Sequence, residues 1–267
     1  MKDFINDRWR PILAFNGLDD FDALWKLDAE WFEAPNERRG GWSGVARCEL
    51  PLPDGGTAAI FLKRQENHQT RSLAHPLRGV PTFLREFRRI MAYRGKAVPT
   101  LEPVYFGMRG GGEKGGNRRA ILATEELTGF VSLHDYERAW PREGIPPRRE
   151  RQDILRAVAE LLRKMHAHGI RHGCFYPKHV FVRVHPGGPA EARVIDLEKS
   201  RWRPRFLCAP RDLYSLNHYA SPAWSRADRI GFLKRYLDIP RLDDRAKRLC
   251  RAVAALSARK DAAREES

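Results

Sequence analysis

No stretch of this 267-residue chain approaches the roughly 20 consecutive apolar residues that a bilayer-spanning helix needs. Residues 1–25 hold no long apolar run, and the opening Met-Lys-Asp-Phe-Ile-Asn-Asp-Arg carries acids, so a secretory signal is not expected. Cysteine is sparse and scattered at Cys48, Cys174, Cys208 and Cys250 with no Cys-x-x-Cys pair. That spacing argues against a zinc site and suits a reducing compartment. Acidic residues are also short, 34 against 49 Lys and Arg, leaving a net charge of +15. What the chain does have is 42% hydrophobic content, enough to bury a core in one large domain or two closely packed lobes.

A charge this positive suits nucleic acid, an anionic membrane surface or a polyanionic small substrate. It also suits no partner, if arginine is simply favoured in composition. No RNP1-like segment, zinc-finger spacing or basic-region heptad accompanies the charge, so a nucleic-acid partner is not expected.

Residues 1–38 read as an irregular start with a short amphipathic stretch over residues 21–32. Val45-Ala-Arg-Cys-Glu-Leu and Ala58-Ala-Ile-Phe-Leu-Lys read as strands split by the turn Pro51-Leu-Pro-Asp-Gly-Gly. A helix begins near Thr82, with Phe83, Phe87, Ile90 and Met91 at helical spacing. Strands follow near Val104 and Ala120, joined by a Gly-rich hairpin tip over residues 109–117. Residues 142–151 read as a solvated connector. An amphipathic helix over about residues 152–168 then carries Ile154, Val158, Leu161 and Met165, with Gly169 as its C-cap. Two short strands, Val180-Phe-Val-Arg-Val and Ala192-Arg-Val-Ile-Asp, precede a helical remainder with a frayed tail over residues 260–267. The expected class is α+β: a small antiparallel sheet plus helix over residues 1–127, then a larger helical lobe over residues 128–267.

Phosphoryl transfer needs a cover over the phosphates, a lysine held by a helix glutamate, metal ligands and a group that orients the acceptor hydroxyl. Gly40-Gly41-Trp42-Ser43-Gly44-Val45 is either such a cover, with Gly41, Ser43 and Gly44 nearest phosphate, or a plain Gly-rich turn. Lys63 ends an apolar strand, as a phosphate lysine would, or is merely solvated there. Glu86, among arginines on the next helix, is its partner or a surface ion pair. Glu125-Glu126-Leu127 has the character of a hinge whose backbone binds adenine. The more specific signal is His172-Gly-Cys174-Phe-Tyr176-Pro-Lys-His179 between a helix and a strand, followed by Val194-Ile-Asp196 at the end of the next strand. That order is the catalytic-loop and metal-loop arrangement of a kinase.

These segments, with His75-Pro-Leu-Arg-Gly-Val-Pro-Thr-Phe-Leu-Arg-Glu86, Arg211-Asp212-Leu-Tyr-Ser-Leu-Asn-His and Trp224-Ser-Arg-Ala-Asp-Arg-Ile-Gly-Phe-Leu-Lys-Arg-Tyr, resemble the InaA/WaaP lipopolysaccharide kinase family. The resemblance covers residues 40–236. It implies a protein-kinase-like fold, ATP with Mg²⁺, a cytoplasmic setting and phosphorylation of an inner-core sugar, commonly heptose. Carried over by position, Lys63 and Glu86 hold phosphate, Asp196 and His179 bind metal, and Asp212 anchors the catalytic loop or caps a helix. In active WaaP-like members the loop reads His-Arg-Asp, with the aspartate as base; here it reads His172-Gly173-Cys174. Thiols ordinarily ionise near ~8.5 and are weak bases at neutral pH. The resemblance therefore leaves Cys174, or a relocated His172 or Glu198, for the base, and leaves a nucleotide-binding pseudokinase in envelope assembly or stress response as the alternative. The short basic stretch Lys199-Ser-Arg201-Trp202-Arg203-Pro-Arg205 suits a compact anionic acceptor or is a solvated loop. Positive charge would hold the chain peripherally at the anionic inner membrane.

Overall fold

The computed structural model describes residues 2–38, 40–72, 75–110 and 117–265. The chain divides into two compact units, Met1–Ala92 with Leu101–Thr128, and Tyr93–Thr100 with Gly129–Ser267.

The first unit contains β1 (Phe4–Ile5), α1 (Arg10–Phe15), α2 (Phe21–Lys26), β2 (Trp31–Arg38), β3 (Gly41–Pro51), β4 (Thr57–Glu66), β5 (Gln69–Ser72), β6 (His75–Pro81), α3 (Thr82–Arg94, whose last two residues belong to the other unit), β7 (Pro103–Arg109) and β8 (Arg119–Glu125). Six strands form one antiparallel sheet in the order β1-β7-β8-β4-β3-β2. The β3–β4 turn closes through Leu52 N–H to Gly56 O at 3.1 Å, with Gly55 and Gly56 at φ +92° and +81°, where a side chain would be strained. Alternation buries Ile60 and Leu62 of β4 with Trp9, just ahead of α1, and with Leu13, Phe21 and Leu24 from α1 and α2. Each such side chain adds roughly 1.5–3 kcal/mol. Phe87 of α3 stacks on Phe106 of β7 at 4.4 Å, which fastens the helix to the sheet.

The second unit contains β9 (Val131–Ser132), α4 (Leu133–Glu143), α5 (Arg148–Ala167), β10 (Ile170–Arg171), β11 (Val180–Arg183), β12 (Glu191–Val194), β13 (Arg201–Trp202), α6 (Ala209–Tyr219), α7 (Arg226–Leu237) and α8 (Asp244–Glu265). Helix α5 is its axis: Ile154, Val158, Leu161, Leu162 and Met165 are all buried. Gly169 follows it at φ +67°, donating its N–H to His166 O at 3.0 Å. Two small antiparallel sheets, β12-β11-β9 and β10-β13, frame the loops that follow α5.

Three expectations change. The N-terminal stretch is not one amphipathic run: α2 starts at the Asp20 cap and stops at Leu27, and β2 then joins the sheet edge from Trp31. The connector is only residues 144–147, because α4 reaches Glu143 and Pro147 immediately precedes α5, so the prolines mark a helix start. The tail is helical to Glu265, while residues 266–267 lie outside the described residues. Of the Gly-rich hairpin tip, residues 111–116 also lie outside them.

Candidate functional site

In the first unit, β4 delivers Lys63 and α3 delivers Glu86. Lys63 Nζ donates to Glu86 Oε1 at 2.6 Å, with the Glu86 side chain 8% exposed and that of Lys63 20% exposed. Glu86 is therefore not a surface ion pair with its neighbouring arginines. A buried carboxylate fixes the ammonium, whose remaining protons are free for an anion.

The glycines expected to cover phosphate lie inside a strand. Ser43 and Gly44 pair with Gln65 and Arg64 of β4, and Gly41 pairs with Arg38 of β2. A Cβ on Gly41 would stand 2.2 Å from Glu66 O, and one on Gly44 2.6 Å from the Trp31 ring. Close packing thus accounts for both glycines, and the hairpin turns at Gly40, whose φ is +76°. At the end of β8 the Glu125 carboxylate is taken by Arg8, and Glu126 N–H donates to Ala59 O at 2.9 Å. Among the described residues the N–H and C=O of Leu127 enter no hydrogen bond, which leaves a backbone donor and acceptor open in the half-buried segment after β8.

In the second unit, the His172 loop is held from beneath. Asp212, fully buried in the first turn of α6, accepts His172 N–H at 2.7 Å and Gly173 N–H at 2.8 Å. It also meets His166 Nε2 at 3.1 Å. Asp212 is thus an anchor for the loop, not a cap of its own helix. Gly173 sits at φ +85°, and a Cβ there would approach Lys199 O to 3.2 Å.

His172 is itself fully buried, its Nε2 3.0 Å from Ile195 O and its Nδ1 accepting Cys174 N–H at 3.2 Å. Burial, outweighing the nearby Asp212, lowers its pKa. A neutral ring with both nitrogens engaged ties this loop to the residue before Asp196.

Cys174 is buried and organises its surroundings through its backbone. Its carbonyl accepts Tyr176 N–H at 2.7 Å and His179 Nδ1–H at 2.9 Å. The second bond sets the His179 tautomer, which leaves Nε2 unprotonated and 3.4 Å from Asp196 Oδ2. Burial, its largest cause, lowers the His179 pKa and favours that neutral ring. Asp196 sits at φ +56°, an uncommon backbone state for a residue other than glycine. Its side chain remains 40% exposed. Among the described residues no group of three His, Cys, Asp or Glu gathers around a metal position. An imidazole nitrogen and a carboxylate therefore offer two donors, which fits a cation that completes its shell with phosphate oxygens and water.

Sequence reasoning left Tyr176 without a role. Its phenol lies beside the Cys174 thiol and its ring packs edge-on against Tyr219 at 4.8 Å. Burial first, then the Cys174 neighbour, raises its pKa, so it is protonated at neutral pH. Its place two residues past Cys174 in the loop was the available signal. Glu198, two residues past Asp196, is half-buried with no partner among the described residues.

A strand lysine fixed by a helix glutamate, and a His-led loop anchored by a buried helix aspartate, are the parts of a protein-kinase-like domain. The solved structure of WaaP in complex with acyl carrier protein has the same fold, with a TM-score of 0.65 and 23% identity over 100% of this chain and 99% of that one. The profile of the Lipopolysaccharide kinase (Kdo/WaaP) family matches residues 22–236, and the chain belongs to that family. Protein InaA of Escherichia coli (strain K12) is 35% identical over 76% of this chain and 89% of its own length. The lipopolysaccharide core heptose(I) kinase WaaP of Escherichia coli is 31% identical over 86% of this chain and 85% of its own. Membership of a kinase family implies ATP and a divalent metal. No helix among the described residues is long and apolar enough to cross a membrane.

Proposed function

We propose that this chain transfers the γ-phosphoryl group of ATP to a heptose hydroxyl of the lipopolysaccharide inner core, at the cytoplasmic face of the inner membrane. The observation that carries the reading is the Lys63–Glu86 pair at 2.6 Å, a buried arrangement with no use on a protein surface but a clear one on phosphate. Residues 1–127 act as the nucleotide lobe and residues 128–267 as the acceptor and metal lobe. Lys63 binds phosphate oxygens and Glu86 orients it. Gly41, Ser43 and Gly44 stiffen a hairpin whose tip at Gly40 covers the phosphates, and the segment from Glu125 to Leu127 meets the adenine edge through the Leu127 backbone.

Asp196 Oδ2 and His179 Nε2 would hold Mg²⁺, which would supply positive charge to offset that of the phosphates. His172 positions the loop and does not move a proton, since both its nitrogens are engaged. Cys174 fixes the His179 tautomer through its carbonyl, and Tyr176 donates a hydrogen bond to the acceptor. Glu198, the unpartnered carboxylate beside Asp196, takes the acceptor proton. Transfer through a loose transition state depends chiefly on positioning, so loss of the usual aspartate lowers the rate without abolishing it.

The pseudokinase reading rests on one observation, the buried thiol in the base position. Mass spectrometry of dephosphorylated core after incubation with the protein and Mg-ATP separates the two. One added phosphate on a heptose supports the kinase; unmodified core, with nucleotide still bound, supports the pseudokinase.

A further inference from the structure

Between the fully buried Ser200 and Cys208, the seven residues 201–207 are all exposed. They are Arg-Trp-Arg-Pro-Arg-Phe-Leu, so arginines alternate with large apolar side chains. Trp202 is 44% exposed, Phe206 77% and Leu207 48%. Scattered exposed apolar residues are ordinary, but three within six positions, interleaved with one sign of charge, mark an interaction surface.

The backbone of this strip is tightly held. Trp202 and Arg201 pair with Ile170 and Arg171 across the β10–β13 ladder. Arg203 N–H donates to Gly169 O at 2.8 Å, and Leu207 N–H to Pro204 O at 2.9 Å. The Cys208 thiol sits 3.7 Å from Arg203 O and 3.6 Å from Pro204 O, beneath the strip. A Cβ on Gly169 would stand 2.8 Å from Arg203 O, so glycine is required for the strip to lie this close. The backbone is held internally while every residue of the strip stays exposed.

The charges point the same way. Among the described residues Arg201, Arg203 and Arg205 enter no ion pair. Arg171 stands directly opposite Arg201 in the ladder, and its Nε is buried without a partner. Like charges facing each other across strands repel, and an anionic layer relieves that repulsion.

We infer that residues 201–207 are an interfacial anchor that docks on an anionic phospholipid bilayer, with Trp202, Phe206 and Leu207 entering the headgroup boundary and the arginines meeting lipid phosphates. Tryptophan and arginine together suit that boundary. A strip of seven residues is small for a stable protein interface, which takes about 20–30 residues a side. A bilayer demands no such shape match. Leu207 and Phe206 on a rigid turn after Pro204 also suit acyl chains better than nucleobases, which are gripped by aromatic stacking. The purpose, keeping the enzyme on the membrane that carries a lipid-anchored acceptor, rests on the proposed lipopolysaccharide reading; the anchor itself does not.

The test is co-sedimentation of the full chain with phosphatidylcholine vesicles, with and without phosphatidylglycerol. Wild type binds the anionic vesicles more tightly, and less so at high salt. The W202A/F206A/L207A variant binds at least about tenfold more weakly. R201Q/R203Q/R205Q loses about fivefold per charge. R201Q/R203Q/R205Q, whose replaced side chains are exposed, keeps the wild-type melting temperature, and the apolar variant is compared with wild type at a temperature where circular dichroism shows both folded. As a second measurement, brominated lipid quenches part of the tryptophan fluorescence of wild type and not that part in Trp202→Phe. Equal binding to zwitterionic and anionic vesicles, undiminished binding by the apolar variant, or capture of RNA in place of vesicles overturns the inference. Phosphoryl transfer to detergent-dispersed core is read separately. Vesicle binding without transfer removes the kinase reading alone, and transfer without vesicle binding removes the anchor alone.

Discussion

The buried carboxylate of Asp212 accepts the backbone N–H of His172 at 2.7 Å, so a helix in the middle of the second unit fixes the shape of the loop 40 residues before it. Asp212→Ala leaves the N–H groups of His172 and Gly173 buried without acceptors. At roughly 1–3 kcal/mol each, the expected loss is about 2–6 kcal/mol by urea denaturation. Asp212→Asn keeps one oxygen and loses less. A stable, unaltered Ala variant would show that the loop does not depend on this anchor.

Lys63→Met and Glu86→Gln each lower the turnover number for transfer. Removal of one aimed donor to developing charge costs about 10²–10³-fold, and this is the fall expected for Lys63→Met. ATP affinity, read by isothermal titration, changes far less, because the adenine contacts stay. Equal losses in binding and turnover would reduce Lys63 to a ground-state contact.

Cys174→Ala keeps transfer within about tenfold, since the thiol's neighbourhood is set by its backbone, whereas loss of a general base costs about 10²–10⁴-fold. Glu198→Gln produces the larger fall. The opposite ranking in steady-state kinetics would return the base to Cys174.

Glu137, buried in α4, accepts Trp224 Nε1–H at 2.5 Å and Ser221 N–H at 2.8 Å. Burial dominates over both bonds and raises its pKa above the ordinary 4.5. A raised carboxyl holds its proton longer in the folded state than in the unfolded one. Its contribution is therefore complete below about the ordinary value and is lost as pH rises through the folded value. Glu137→Gln retains an acceptor oxygen without the charge, so its melting temperature falls less than that of wild type as pH is raised from 4 to 8 in thermal scans.

Long periodic elements were legible because burial wrote them into the sequence: the α5 stripe from Ile154 to Met165 and the Ile60–Leu62 strand carry plain patterns. Helix α4 was not, because its buried face includes Glu137 and its last turn Pro141, a charge and a breaker that only tertiary partners excuse. The His172 loop and Asp196 were visible as an ordered series of residue types. The meeting of Lys63 with Glu86 was expected from their order along the chain and from the family resemblance, while its geometry was hidden, since 23 residues of intervening chain separate α3 from β4. What Gly41 and Gly44 accommodate, Glu66 O and the Trp31 ring, was not legible, because neither neighbour is adjacent in sequence.

The most direct test is transfer of labelled γ-phosphate from Mg-ATP to dephosphorylated lipopolysaccharide core by wild type and by Asp196→Ala. Labelled core with wild type, and none above background with the variant, is the predicted result. No transfer by wild type while ATP still binds would contradict it and leave a nucleotide-binding protein without catalysis.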